Sequence, residues 1–179
     1  MTDDPIFQLL RELHGLDVEY MLTGSYASNV YGKVRSTFDA DLVLALRASQ
    51  MKRLVESLGK DFYFDATSLE EVQASGGQFN AVHKSSGLKV DFYLLEDGEY
   101  PRLALERRRR EQFSNQEVCV ISPEDLILAK LQWTKKGGSQ RQMEDAKGVY
   151  EVQKSRLDMT YLRLWADRLS VSNLLQSIL

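Results

Sequence analysis

This 179-residue sequence has one cysteine and two histidines. It has no long hydrophobic run and no excess of basic residues. The single cysteine, Cys119, has no partner for an internal disulfide, which favours a reducing intracellular compartment. No apolar stretch approaches the roughly 20 residues that span a bilayer. The first 13 residues are acidic, whereas a signal peptide would begin with basic residues. We therefore expect a cytoplasmic protein with no membrane partner.

The remaining composition is that of an ordinary globular protein. The net charge of −3 provides no overall basic signature for nucleic acid, although a local patch is left open. Hydrophobic residues make up 43% of the chain, which is enough for a core. His14 and His83 do not have the spacing of zinc ligands, so a zinc site is not expected.

Apolar periodicity and turn residues predict an α/β body over residues 1–121 and a helical extension over 122–179, packed together as one compact unit. The patterns predict a helix over residues 100–113, whose run of four arginines would lie on a solvated helical face. Cys119 is expected to be buried in a strand, and Trp133 and Trp165 to pack between helices. The main predicted strands cover residues 18–22, 38–46, 88–95 and 117–121.

Three aspartates interrupt apolar strands. Asp39 and Asp41 alternate with Ala40 and Leu42, so both carboxylates project from one face of the predicted strand. Asp91 interrupts another apolar strand in the same way. If these strands are neighbours, three hard oxygen ligands meet, which suits Mg²⁺ or Mn²⁺. Acidic residues at strand ends are also commonly just solvated, so the pattern alone leaves both interpretations open.

A Gly-Ser turn precedes the aspartates. Gly24 and Ser25 stand between a predicted strand and a predicted helix. Such a turn presents free backbone N–H groups and a hydroxyl, which can hold a phosphate. A plain turn with a helix cap is the alternative. A phosphate-binding turn and three carboxylates at the ends of adjacent strands together favour a site that binds a phosphate group and a divalent metal ion.

Together these motifs resemble the nucleotidyltransferase superfamily, whose fold is shared with DNA polymerase beta. That family shows Gly-Ser after a strand, Asp-x-Asp on the next strand and a later third acid. More narrowly, the sequence is similar to the AbiEii-type toxin branch, which shows Arg-x-Thr-x-Asp-x-Asp and then S-P-E-D-L-I with a lysine and an Arg…Asp pair. The matching residues are Gly32, Arg35, Thr37, Asp39 and Asp41, then Ser122, Lys130, Arg141 and Asp145.

The resemblance implies an α/β (α+β) nucleotidyltransferase fold, with a small mixed sheet flanked by helices and C-terminal helices packed on it. It implies transfer of a nucleoside monophosphate from a nucleoside triphosphate to a hydroxyl, using two Mg²⁺ or Mn²⁺ ions held by Asp39, Asp41 and Asp91. The acceptor is left open among a tRNA end, a protein and a small molecule, as is a toxin–antitoxin partnership. The alternative is a catalytically silent module of this fold that binds nucleotide, RNA or a partner protein.

The resemblance also implies substrate contacts by Gly24, Ser25, Arg35, Thr37, Lys130 and Asp145. Lys130 would contact phosphate, although a solvated lysine on an apolar helix is equally consistent with the sequence. Arg35 would contact phosphate or pair with one of the aspartates. Asp145 would lie near the active site or simply pair with Arg141 one helical turn away.

Overall fold

The computed structural model describes residues 4–33, 37, 39–113 and 116–179. Within these ranges, the strands form one seven-stranded mixed sheet with the spatial order β3-β4-β5-β2-β1-β7-β6. β2 is parallel to β5, and β1 is parallel to β7; the other neighbouring pairs are antiparallel. The strands are β1 (Glu19–Thr23), β2 (Asp39–Ala45), β3 (Phe62–Phe64), β4 (Gln78–His83), β5 (Lys89–Leu94), β6 (Arg109–Phe113) and β7 (Gln116–Val120).

The helices flank this sheet, so the predicted mixed α/β fold is confirmed. None of the helices in the described ranges is long and apolar enough to cross a membrane. The helices are α1 (Pro5–Gly15), α2 (Gly24–Tyr31), α3 (Ala48–Leu58), α4 (Ala66–Ser75), α5 (Glu99–Glu106), α6 (Pro123–Gly137), α7 (Gln140–Gln153), α8 (Met159–Arg168) and α9 (Ser172–Gln176).

Residues of β2 alternate between a buried face and a more exposed face, and most of β4 and β5 follow the same alternation. Leu42, Phe92 and Phe79 are matched across β2, β5 and β4, and each is at most 2% exposed. The rings of Phe79 and Phe92 stack with their centroids 4.7 Å apart. Because neighbouring residues point to opposite faces, this buried row forces the residues one position away onto the other face.

Helices α6 and α7 pack against each other, and both also contact α2. Helix α2 in turn packs on β1 and β2. Buried apolar residues from the sheet and from α6, α7 and α8 form one continuous core. The side chains of α6 and α7 are therefore held at a defined distance from the ends of β1 and β2.

The prediction of a helix over residues 100–113 is wrong beyond Glu106. Helix α5 ends there, and β6 begins at Arg109 and pairs with β7. All four arginines pair with glutamates, because the end of α5 and the start of β6 lie beside neighbouring strands and the start of α6; Arg107 lies 3.5 Å from Glu124. The other pairs are Arg108–Glu19 at 2.8 Å, Arg109–Glu124 at 3.3 Å and Arg110–Glu117 at 3.3 Å.

Two further expectations need correction. Cys119 lies in β7 as expected, but it is half-buried rather than buried, because it occupies the more exposed face of that strand. Trp165 is buried and packs against Tyr100, as the sequence indicated. Trp133 does not pack between helices, since half of it (50%) is exposed.

The first turn of α6 is anchored by a buried polar cluster. Ser122 caps the helix by accepting a hydrogen bond from the Asp125 amide, and its hydroxyl donates to the Asp125 carboxylate at 2.6 Å. Tyr161 also donates to Asp125 at 2.6 Å, and Arg107 lies 3.5 Å from both Glu124 and Asp125. Burial raises the pKa of Asp125, and these hydrogen bonds and the arginine charge oppose that rise. The cluster sets the direction of α6.

We expect Ser122→Ala to lower the free energy of unfolding by about 1–2 kcal/mol, because it removes a helix cap and one partner of a buried carboxylate. Urea unfolding would measure the change. Ser139→Ala is the matched control: Ser139 caps α7 through a longer bond of 3.4 Å, so a smaller loss is expected. An equal or larger loss for Ser139→Ala would contradict the importance of the α6 cap.

Candidate active site

The half-exposed face of the central strands carries a row of polar residues. Asp41 of β2 is opposite Asp91 of β5 in the parallel ladder and opposite Thr23 of β1 in the antiparallel ladder. Asn80 of β4 continues the row beyond Asp91. Asp39 lies two residues before Asp41 and therefore on the same face. The strands that carry the three aspartates are thus neighbours, as the metal-site hypothesis requires.

Asp41 is the most constrained of the three carboxylates. Burial raises its pKa, and the charge of Asp91 raises it further, with a smaller contribution from Asp39. The charge of Lys130 and a hydrogen bond from the backbone N–H of Ser25 act in the opposite direction. A partly buried carboxylate beside other carboxylates favours a bound cation.

The turn between β1 and α2 is shaped to meet Asp41. Gly24 has a φ of +58°, and a Cβ atom on it would overlap the Asp41 carboxylate and lie 2.9 Å from the Asp41 Cβ. Glycine is therefore required both for the backbone conformation and for the close approach. Ser25 follows in the first turn of α2, so its N–H points toward the carboxylate row.

Lys130 and Asp145 meet at the same site from the helical side. The Lys130 Nζ lies 2.9 Å from the Asp145 Oδ2, which joins α6 to α7. Lys130 is only 3% exposed, so a solvated lysine is not what the structure shows. Its effect on the Asp41 pKa indicates that its charge reaches the carboxylate row.

A cavity of about 400 Å³ opens beside these residues. Gly24, Ser25, Asp41 and Lys130 line one part of it. Elsewhere the wall is largely apolar and includes Met21 of β1, Val43 of β2, Ala104 of α5, Leu126 of α6, and Leu95 and Ile121, which follow β5 and β7. A compartment with polar groups at one end and apolar walls at the other is typical of small-molecule sites.

Tyr93 and Trp133 line the cavity and were not recognised as site residues from the sequence. Burial of Tyr93, together with the charges of Asp41 and Asp91, raises the pKa of its hydroxyl to about 12. The Trp133 ring centroid is 6.5 Å from that of Tyr93. Tyr93 follows Asp91 by two residues, so strand alternation is a signal that could have identified it.

Lys89 was also missed. Its Nζ lies 2.9 Å from the Asp91 Oδ2, and it is opposite Asp39 in the β2–β5 ladder. The hydrogen bond to Asp91 is the main cause that raises the pKa of Lys89, and the charges of Asp39 and Asp41 add to it. Its position two residues before Asp91 carried the same alternation signal.

Two other predicted contact residues precede β2. Thr37 Oγ1 donates to the Asp39 carbonyl at 3.0 Å and accepts from the Asp39 amide at 3.3 Å, so it organises the start of the strand. Arg35 lies outside the described residues, and its predicted role stays a prediction.

The donor chemistry of Asp39, Asp41 and Asp91 fits a hard divalent cation. In the described part of the chain, however, no group of three or more acidic, histidine or cysteine side chains is arranged to hold a metal ion. Lys89 occupies one oxygen of Asp91. A divalent ion bound by Asp91 would therefore lie beside the Lys89 ammonium group and compete with it.

No protein-family model and no curated protein matches this sequence. Among solved structures, the lincomycin-bound lincosamide antibiotic adenylyltransferase LnuA has a TM-score of 0.59 at 15% identity, with 85% of this chain and 98% of that chain covered. The fold is that of the nucleotidyltransferases. ANT(2'')-Ia in complex with adenylyl-2''-tobramycin has a TM-score of 0.61 at 15% identity, with 93% and 95% covered.

A nucleotidyltransferase-like protein from Paracoccidioides brasiliensis has the same fold, with a TM-score of 0.58 at 16% identity over 95% of this chain and 88% of that chain. These likenesses concern the nucleotidyltransferase fold as a whole. None of these three structures singles out the AbiEii-type branch, which stays a prediction.

We expect Gly24→Ala to lower the free energy of unfolding, because the added methyl group displaces the Asp41 carboxylate. The positive φ alone should cost about 1–2 kcal/mol. Urea unfolding would measure the change. Gly15→Ala is the control, since Gly15 ends α1 with nothing within 4 Å of an added Cβ. A loss for Gly24→Ala no larger than that for Gly15→Ala would contradict the close approach of Gly24 to Asp41.

We expect Asp41→Asn to raise the free energy of unfolding at pH 7 in metal-free buffer. The raised pKa means that ionising Asp41 costs more in the folded state than in the unfolded state, and asparagine avoids that cost. The gain should vanish as the pH falls below the usual aspartate pKa of about 4, where Asp41 is protonated in both states.

Urea unfolding of Asp41→Asn and wild type between pH 3.5 and 7 measures this difference. Asp167→Asn, an exposed change on α8, should alter the stability little at any pH. A gain for Asp41→Asn that is independent of pH would show that its cause is not the ionisation of Asp41.

Proposed function

We propose that the protein is a metal-dependent nucleotidyltransferase, which transfers a nucleoside monophosphate from a nucleoside triphosphate to a hydroxyl acceptor. The observation that carries the proposal is the row in which Asp41 faces Asp91 across β2 and β5, directly beside the Gly24–Ser25 turn. The same row opens on a cavity, on a fold shared with adenylyltransferases.

The phosphates are bound at the turn and by the helical side of the cavity. The first turn of α2 presents backbone N–H groups and the Ser25 hydroxyl, and the Gly24 backbone permits close approach. Lys130 adds a positive charge, and its ion pair with Asp145 fixes that charge in place. Arg35 and Thr37 complete the predicted contacts from the segment before β2.

Asp39, Asp41 and Asp91 would hold Mg²⁺ or Mn²⁺ ions. When bound, such ions neutralise phosphate charge and lower the pKa of a hydroxyl. Asp91 accepts the proton of the acceptor hydroxyl, and the hydroxyl oxygen bonds to the α-phosphorus. The bond between the α-phosphorus and its bridging oxygen breaks, and pyrophosphate leaves. The hydrogen bond from the Ser25 amide holds Asp41 in its orientation.

A small molecule is the acceptor that we favour. The cavity has a volume of about 400 Å³, and its wall is largely apolar away from the carboxylates. LnuA is bound to lincomycin, and ANT(2'')-Ia to adenylylated tobramycin, so this fold accommodates small acceptors in both proteins. Trp133 and Tyr93 supply aromatic surface against which a ring can pack. A tRNA end or a protein hydroxyl, within a toxin–antitoxin system, is the alternative that the AbiEii-type resemblance favours.

A catalytically silent binding module is the second candidate. The observation that favours it is the Lys89–Asp91 ion pair, which engages the third carboxylate. Such a module would bind nucleotide without releasing pyrophosphate.

The test is label transfer from each α-³²P nucleoside triphosphate with Mg²⁺, in the presence of total RNA, protein extract or hydroxylated small molecules. We expect pyrophosphate release and a labelled small molecule. Asp41→Asn should lower the rate about a thousandfold or more, because several kcal/mol of transition-state stabilisation are lost.

Asp167→Asn should leave the rate unchanged, since Asp167 is exposed on α8 far along the chain from the site. Labelled RNA or protein would instead identify a macromolecular acceptor. Nucleotide binding without any transfer by wild type would favour the silent module and refute the enzyme.

A further inference from the structure

Lys89 places a cation on the carboxylate face from within the sheet. It lies two residues before Asp91 on β5, so both side chains share one face, and their ion pair measures 2.9 Å. Across the parallel ladder, Lys89 is opposite Asp39 and Asp91 is opposite Asp41. A two-by-two patch therefore contains three carboxylates and one ammonium group.

Lys89 differs from Lys130 in how firmly it is held. The Lys130 side chain is 4% exposed and bridges two helices through Asp145. The Lys89 side chain is 43% exposed, at the solvent side of the patch. A lysine has a flexible four-carbon stem and a strongly hydrated head, so Lys89 can move its charge into water without breaking the core.

The ammonium group and a divalent ion would both bind the Asp91 carboxylate. Asp91 is only 18% exposed and has Lys89 on one side and the Asp41 strand on the other. A metal ligated by Asp91 would lie beside the ammonium group, where the two cations repel. The two cations would therefore compete for Asp91.

We propose that Lys89 is a built-in counter-ion, which neutralises Asp91 when no divalent cation is bound and is displaced from Asp91 when one binds. This inference rests on the proposed function only in requiring a divalent cation at the three aspartates. Without metal, Lys89 reduces the repulsion between the carboxylates on this face of the sheet. Its charge also weakens the affinity of the same carboxylates for metal. Lys89 is a positioning residue in this sense, because it acts through Asp91.

The direct test is a titration with Mn²⁺ alone, in which electron paramagnetic resonance measures free Mn²⁺. We expect Lys89→Met to tighten Mn²⁺ binding about threefold to tenfold, because this change in affinity corresponds to the free energy of a partly exposed ion pair. In an Asp91→Asn background, the same change should alter the affinity by less than about twofold, because the shared ligand is gone.

Thermal unfolding distinguishes this exchange from an ordinary structural ion pair. Lys89→Met should lower the melting temperature in EDTA but not at saturating Mn²⁺, where Lys89 no longer engages Asp91. Lys84→Met is the matched control. The Lys84 Nζ donates to the carbonyls of Gly59 and Lys60 at 2.7 and 2.9 Å, so its loss should lower the melting temperature equally in both conditions.

Equal or weaker Mn²⁺ binding by Lys89→Met, or an equal loss of stability with and without Mn²⁺, would overturn the inference while leaving the proposed function intact. If wild type binds no Mn²⁺, or if Asp41→Asn leaves its Mn²⁺ binding unchanged, the metal site itself is refuted, and the inference with it. The two failures are therefore distinct.

Discussion

The parallel pairing of β2 with β5 sets Asp41 directly opposite Asp91, and much of the surrounding structure offsets the repulsion between them. The Ser25 amide hydrogen-bonds Asp41, and Lys130 contributes positive charge from α6. Lys89 engages Asp91 from the same strand. These contacts come from different elements, so the site depends on the assembled sheet and helices together.

The carboxylate row destabilises the folded protein, and the packed apolar residues on the opposite face of the sheet support it. Burial and a neighbouring carboxylate raise the pKa of Asp41, which means that its ionised form is disfavoured by folding. On the opposite face of the same strands, Leu42 and Phe92 are fully buried and keep the register from slipping. A slip by one residue would move every carboxylate into the core, so the apolar face protects the arrangement of the polar one.

The position of Lys130 depends on a second polar cluster at the start of its helix. Ser122, Asp125 and Tyr161 anchor the first turn of α6, and the Lys130–Asp145 ion pair joins α6 to α7 two turns later. The arginines that precede β7 neutralise the acidic side chains of that first turn. Two arginines of the run that was predicted to lie on a solvated helical face, Arg107 and Arg109, therefore help to orient the helix that supplies a cavity-lining lysine.

Local patterns in the sequence were enough to predict that the three aspartates project from apolar strands and that Gly24 and Ser25 form a turn before a helix. They also predicted most helices and strands and the capped start of α6, because alternation, caps and turn residues act over a few positions. The end of α5 was missed, since pairing of β6 with β7 outweighed the helical tendency of residues 107–113. Only the tertiary structure decided that Asp145 pairs with Lys130, and that Tyr93 and Trp133 line the same cavity as Asp41. These contacts join segments far apart in the chain, and their formation depends on how the sheet and helices pack, which no local pattern encodes.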